Sequence, residues 1–391
     1  MTAHRRQSYA GVAVAVPVTV PYVRYSTHTA HWFIGHAVDA LVKTSGIPKE
    51  QIDGLCLSSF SLVPDTAVGV TQHLGLSPRW LDHVPTGGAS GVMCLRRAAR
   101  AVQSGDADVV ACVAADTNHV DSFRQTLGSF SNFARDATYP YGSGGPNSIF
   151  AFITANYMRT YGATREDFGR IAVDQRTNSL GNPHAMFKKP LTLDEYMAAR
   201  PIADPIHLFD CVMPCAGAEA FLVMSEAKAR ELGLTHVVIR GAIERHNAFA
   251  EDPVMVRGGW RMDRADLYAQ AGVKPEAIDF VQTYDDYPVI VMMQFEDLGF
   301  CEKGEGPEFV RAHGMTSTGS FPNNTSGGQL SGGQAGAAGG FLGMTETIRQ
   351  LTDTAGPRTV PDAKLGLVAG FGMVTYDRCL CTGAVILGRS E

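Results

Sequence analysis

The sequence predicts an α/β protein made of two similar halves, whose sheets and helices stack as a five-layer α/β/α/β/α sandwich. Three observations lead there. The chain has 391 residues, too many for one simple core. Continuous runs of Val, Ala and Ile alternate with amphipathic helices, the pattern of sheets covered on both faces. Finally, a segment recurs: residues 45–57 read SGIPKEQIDGLCL and residues 271–283 read AGVKPEAIDFVQT.

The elements follow in order. VAVAV reads as a first strand and its exit loop. Arg5-Arg6 before GVAVAVPVTV mimics a secretion signal, but Pro17 and Pro21 interrupt the run and no small-residue cleavage site follows. The helix HWFIGHAVDALVKT ends at Gly46, since glycine accepts the left-handed conformation that closes a helix. Pro48 shapes a short turn, and Ile52-Asp53 leads into a buried strand. The helix GVMCLRRAARAVQSG and the strand ADVVACVAA follow. Residues 121–204 are less periodic and read as an inserted loop region. Two helices are expected within it, over GPNSIFAFITANYMRTYGATREDFGRIAVDQRTNSLGNP. The first half therefore comprises residues 1–120 and about 205–235, and the second half residues 236–391. The second half repeats the plan with the strand HVVIRGAI, the helix RADLYAQ ending at Gly272, the turn at Pro275 and Ile278-Asp279. The helix GGFLGMTETIRQL and the strand KLGLVAGFG complete it.

Composition narrows the function. Apolar residues make up 45% and charged residues 18%, as in ordinary globular proteins. The net charge is −6 and no basic stripe is present, which argues against nucleic acid as a partner. No segment has the run of about 18 apolar residues that a membrane span needs. The eight cysteines are expected to be reduced thiols of a cytoplasmic protein, because a chain of this length needs no staples and no metal-ligand spacing holds them. Glycine runs at 327–328, 332–333 and 339–340 border apolar segments and point to tight turns around a ligand. Glu219, in the apolar strand CAGAEAFLV, must either meet a partner or cap the strand.

The duplicated halves, the helix GPNSIFAFITANYMRTYGATREDFGRIAV, the stretch FEDLGFCEKGEGPEFV and the run NNTSGGQLSGGQAGAAGG resemble thiolases of the sterol-carrier (lipid-transfer) type, across nearly the whole chain. The resemblance implies the thiolase fold and coenzyme A thioesters as substrates. No covalently bound cofactor is implied. It also implies a homodimer, and a small zinc-ribbon/OB-fold partner that holds the coenzyme A portion. Family members place a nucleophilic cysteine at the N-terminus of a helix in the first half. That position falls on Gly88, within Thr86-Gly87-Gly88-Ala89-Ser90-Gly91, and Cys94 lies further into the helix and packs inward. The family's histidine position, in a glycine-rich turn of the second half, falls on Gln334, beside Gly333. A third position, Asn or His in relatives, falls on Tyr284 in Tyr284-Asp285-Asp286-Tyr287. The fourth lies near Gly372, with Tyr376, Asp377 and Arg378 as candidates.

Acyl transfer through an acyl-enzyme needs a covalent nucleophile and a base. Glycine supplies no nucleophile, and glutamine exchanges no proton near neutral pH. Retro-aldol cleavage of a 3-hydroxyacyl-CoA fits what is left, since no acyl-enzyme forms. In that reading Tyr284 exchanges the proton, Asp285 or Asp286 orients it, and the N–H groups of Gly88 and Ala89 receive the enolate oxygen. Within the sterol-carrier group, the side-chain aldolases that lack the cysteine carry a similar Tyr-Asp motif, with a tyrosine where this chain has Gln334. Two other readings stand beside it. One is an acyltransferase with a displaced nucleophile, Ser90 or Cys379; the other is a non-catalytic subunit of a larger acyltransferase complex.

Overall fold

The computed structural model describes residues 8–119, 138–142 and 145–390. Its centre is one nine-stranded mixed sheet. The strands are β1 (Val12–Val23), β2 (Gly54–Ser58), β3 (Trp80–His83), β4 (Val109–Asp116), β5 (Ala216–Ser225), β6 (His236–His246), β7 (Phe280–Gln282), β8 (Leu365–Val374) and β9 (Cys379–Arg389). Their spatial order is β3-β2-β4-β5-β1-β6-β9-β8-β7. The main helices are α1 (Ala30–Ser45), α2 (Ala67–Leu74), α3 (Ser90–Ser104), α4 (Pro146–Tyr161), α5 (Arg165–Leu180), α6 (Trp260–Ala271), α7 (Pro288–Asp297), α8 (Gly328–Gly332) and α9 (Gly339–Leu351).

The strand order displays the duplication. Reading outward from the centre, β1, β5, β4 and β2 on one side correspond to β6, β9, β8 and β7 on the other. The repeated sequence does the same work in each half. Gly46 and Gly272 close α1 and α6 at φ 70° and 68°. The turn that follows delivers an aspartate to the neighbouring strand. Asp53 accepts the N–H groups of Asp108 and Val109 at 2.9 Å each, and Asp279 those of Lys364 and Leu365 at 2.7 and 2.8 Å. Each aspartate thus fixes where β4 or β8 begins. The half-sheets are not separate, because β1 and β6 pair antiparallel through Ala13↔Val238, Val14↔Val237 and Ala15↔His236. The strand β1 runs on past Pro17 and Pro21 because its pairing breaks register there, with Val16 at φ 56°.

The layers follow from side-chain alternation. In β2, β4 and β5, Leu55, Leu57, Ala111, Val113 and Leu222 face α1 and α2, while Cys56, Cys112, Phe221 and Val223 face the central helices α3 and α9. In β8 and β9, Val368, Val385 and Leu387 face the same central layer, while Leu367, Ala369, Phe371 and Ile386 face α6, α7 and the inserted helices. The central helices carry residues from both halves, so their N-termini meet in the middle of the molecule. The two helices expected within the insertion are α4 and α5, whereas residues 121–137 lie outside the described residues. Among the described residues no helix is long and apolar enough to cross a membrane.

Candidate active site

Backbone, not side chain, forms the floor of the site. The turn Gly87–Ala89 leads into α3, α9 starts at Gly339, and β8 passes beneath at Gly370–Gly372. A Cβ at Gly340 would lie 2.9 Å from the Gly88 Cα, and one at Gly370 2.8 Å from the Ala89 Cα. Those approaches require glycine.

Tyr284 closes the floor from above. It follows β7 in the short link to α7 and is 6% exposed. Gln294 of α7 holds it, donating to the Tyr284 carbonyl at 2.7 Å and accepting its N–H at 2.9 Å. Its ring stacks on Phe371 with centroids 6.0 Å apart. A Cβ built on Gly88 would fall inside the Tyr284 ring, against Cε2 and Cζ, and against the Phe371 carbonyl. The space a nucleophilic side chain would fill at position 88 is therefore occupied by the phenol. The two positions exclude one another: a cysteine at 88 requires a smaller residue at 284.

The two aspartates after Tyr284 have different tasks. Asp285 is buried and its carboxylate is saturated: Oδ1 accepts the Gln329 N–H at 3.0 Å and its side-chain amide at 3.3 Å, and Oδ2 accepts the Leu330 N–H at 3.1 Å. It caps α8. Burial raises its pKa to about 6, with the α8 N–H groups opposing. Asp286 is half-buried, and its Oδ1 is buried without a hydrogen-bond partner. Burial raises its carboxyl to about 7; the Tyr284 hydroxyl beside it lowers it and Asp285 raises it. Burial, then the Asp286 charge, holds the Tyr284 hydroxyl well above its ordinary pKa.

Two glutamines complete the chamber. Gln329 is buried, and its Oε1 has no partner. Its side chain lies over Gly339, and Gln334 Cγ is 3.5 Å from where a Gly339 Cβ would stand. The Gln334 amide makes one long bond, 3.4 Å to the Gly336 carbonyl, while its backbone is fixed by Met213 and Cys215 at 2.9 Å each. Gly333, at φ 110°, makes the sharp turn and lies against Met186 and Cys215. Nothing in the sequence singles out Gln329, although it stands in the glycine-rich run. Asp116 is a second residue that sequence reasoning misses. It ends β4, is buried, and accepts N–H groups from Phe60, Ser61 and Ala337, so it ties the loop after β2 to the turn before α9.

Several expected residues are placed elsewhere. Tyr376 sits at the tip of the β8–β9 hairpin, 49% exposed, and Asp377 and Arg378 pair with one another there. Thr375 N–H closes the hairpin on the Arg378 carbonyl, and the Arg378 guanidinium donates to the Phe249 and Asp252 carbonyls. The Ala89 N–H is already bonded to the Thr86 carbonyl at 3.2 Å, so it is not a free oxyanion donor. Ser90 is fully buried, with its hydroxyl 3.5 Å from the Ala337 carbonyl. Cys379 is buried, and burial holds its thiol well above the ordinary value. Cys94 packs into the core beside Cys56, its thiol likewise raised by burial. His119 is exposed, and His184 is lowered by burial and by neighbouring Arg349, Arg358 and Lys188. Glu219 does meet partners: Thr19, Tyr22 and Thr345 each donate a hydroxyl to it, at 2.8, 3.0 and 2.6 Å.

Comparison with known proteins identifies the family. Residues 241–388 match the thiolase C-terminal domain-like family. A steroid side-chain-cleaving aldolase of Thermomonospora curvata is 32% identical over 87% of this chain and 90% of its own. The chain belongs to the thiolase superfamily, in its sterol-carrier-protein thiolase-like branch. A 17-hydroxy-3-oxo-4-pregnene-20-carboxyl-CoA lyase of Mycobacterium tuberculosis is 31% identical over 86% of this thiolase-like chain and 90% of its own. A solved structure of an Ltp2-ChsH2(DUF35) aldolase superposes with a TM-score of 0.84 at 28% identity, covering 97% of this chain and 98% of that one.

Proposed function

We propose that this thiolase-like chain is a coenzyme A-thioester lyase that cleaves a 3-hydroxyacyl-CoA by retro-aldol chemistry, with Tyr284 taking the hydroxyl proton. One observation carries the reading: the Tyr284 ring fills the space over Gly88, so the acyl-enzyme route has neither a nucleophile nor room for one. The aldolase and lyase relatives support the same reaction class. As the substrate's O–H proton leaves, its electron pair forms the carbonyl, the Cα–Cβ bond breaks, and the thioester becomes an enolate. That enolate regains the proton at Cα, so the step balances without a co-reactant. The Gln334 amide, only weakly engaged with Gly336, donates to the developing enolate oxygen, the place where a fixed donor contributes most.

A steroid side-chain acid esterified to coenzyme A is the first substrate to assay, given the names of the two relatives. Incubation with such a 3-hydroxyacyl-CoA releases a ketone or aldehyde and a shortened acyl-CoA in equal amounts; unchanged substrate at saturating enzyme opposes the proposal. The assembly proposed has two contacts. The similar Ltp2-ChsH2(DUF35) aldolase is named for two components, and a small zinc-ribbon/OB-fold subunit is the counterpart proposed for this chain, supplying the coenzyme A site. The short strand β3 pairs only with β2 among the described strands, and its open edge is where a second copy docks.

A further inference from the structure

We propose that Asp286 is the terminal proton acceptor of the cleavage, taking the Tyr284 hydroxyl proton as Tyr284 takes that of the substrate's 3-hydroxyl. The inference rests on the retro-aldol reading and adds to it the base that a neutral phenol requires. A buried tyrosine is a poor base on its own, because burial disfavours its phenolate. It needs a group behind it that receives one proton as it accepts another.

Three features single out Asp286 from its neighbour. Asp285 spends both oxygens on α8, accepting two backbone N–H groups and the Gln329 amide. Asp286 leaves Oδ1 buried with no partner, an expensive arrangement unless the oxygen has a use. Asp286 stands two residues from Tyr284 in the same short link between β7 and α7, and each group shifts the ionisation of the other. Tyr284 and Asp285 are the titratable groups that act on Asp286 among the described residues, and Asp286 in turn acts on Tyr287; none of these is a cation. Asp286 therefore holds a proton more tightly than a surface aspartate, which suits an acceptor that must later return it. The proton passes from the substrate oxygen to Tyr284 and from Tyr284 to Asp286. It retraces that path to the enolate Cα, where the new C–H bond forms, and both residues end as they began.

The pH profile of kcat/KM tests the assignment, because it reports the ionisation of the free enzyme. Wild-type protein shows an acid limb, rising about tenfold per pH unit and levelling near pH 7. Asp286→Asn removes the limb and lowers kcat/KM by about 100-fold or more, while Asp286→Glu keeps a limb. Glu219→Gln, which removes another carboxyl raised to about 7, leaves the limb in place. Infrared difference titration of the Glu219→Gln protein without substrate detects a carboxyl titrating near 7 that Glu219→Gln/Asp286→Asn lacks; its presence in the double variant overturns the assignment. Active protein whose acid limb survives Asp286→Asn overturns the role alone. Wild-type protein that cleaves no 3-hydroxyacyl-CoA, while the Glu219→Gln protein still shows the titrating Asp286 carboxyl, overturns the reaction, and the role with it.

Discussion

Gly88→Ala is the smallest perturbation that separates this site from that of a cysteine-bearing thiolase. Gly88 does not adopt a left-handed conformation, so alanine meets no backbone strain there and the added methyl is the whole perturbation. That methyl overlaps the Tyr284 ring and the Phe371 carbonyl. Neither gives way easily. Gln294 pins the Tyr284 backbone through two hydrogen bonds, and Phe371 lies mid-strand, paired with Thr382. Overpacking of a fixed site costs about 1–3 kcal/mol, and two rigid neighbours place this case near the upper end, about 3 kcal/mol. For a chain of this size that lowers Tm by roughly 4 °C. Displacing the phenol by about 1 Å also lowers kcat by about 100-fold. Calorimetry and the cleavage assay measure both. The double variant Gly88→Ala/Tyr284→Ala relieves the clash, so its loss of stability is smaller than the two single losses added together, and activity stays low. A Gly88→Ala protein with wild-type Tm and full activity refutes the claim that Tyr284 occupies the nucleophile's space.

Tyr284→Phe keeps the ring and removes the hydroxyl; it lowers kcat by about 100-fold or more while Tm stays within about 1 °C, as steady-state assay and thermal melts check. Gln334→Ala lowers kcat by roughly 10- to 100-fold, less than the loss of a fully engaged oxyanion donor, with little change in KM. Glu219 gives a pH-dependent term in stability. Its folded pKa is about 7 against an ordinary value of 4.5, raised by burial, so the folded state binds the extra proton. The stability it contributes is complete below about pH 4.5 and is lost as pH rises through about 7, a change of roughly 3 kcal/mol. Urea unfolding at pH 5 and pH 8 shows this fall in wild type and a smaller fall in Glu219→Gln, where Asp285 and Asp286 contribute alike to both proteins. Brief iodoacetamide treatment of the folded protein leaves activity unchanged, because Cys94, Cys379 and Cys381 are buried and their thiols are raised by burial.

Much of the architecture is legible because burial on both faces writes itself as unbroken apolar strands, and because duplication repeats a turn. The recurrence of Ile-Asp at 52–53 and 278–279 marks equivalent strands. Its reason, an aspartate capping the next strand's N–H groups, emerges only from the hydrogen bonds. Joining of the half-sheets through β1 and β6 leaves no sequence signal, since any two apolar strands could pair. At the site, Gly88 and Tyr284 are legible through family resemblance, but their mutual exclusion is a contact between residues far apart in the chain. Tyr376 is misplaced from sequence because a shift of a few residues in a hairpin moves a side chain from floor to tip. Ala89 fails as a donor because the turn uses its N–H internally. Gln329 escapes notice because nothing in a run of Gly, Ser and Gln distinguishes the amide that bonds Asp285 from those that do not. Asp116 reads as an ordinary polar strand end, and only the convergence of three N–H donors shows its part in holding the floor.

Thiolysis consumes free coenzyme A, and a retro-aldol cleavage does not. The decisive measurement follows turnover of a 3-hydroxyacyl-CoA in a mixture stripped of free coenzyme A, with intact-protein mass spectrometry on the same samples. Carbonyl product and shortened acyl-CoA appearing in equal amounts, at a rate indifferent to added coenzyme A and with no mass added to the protein, is the predicted result. Turnover that starts only when coenzyme A is supplied, together with an acyl group on the protein, would contradict the account.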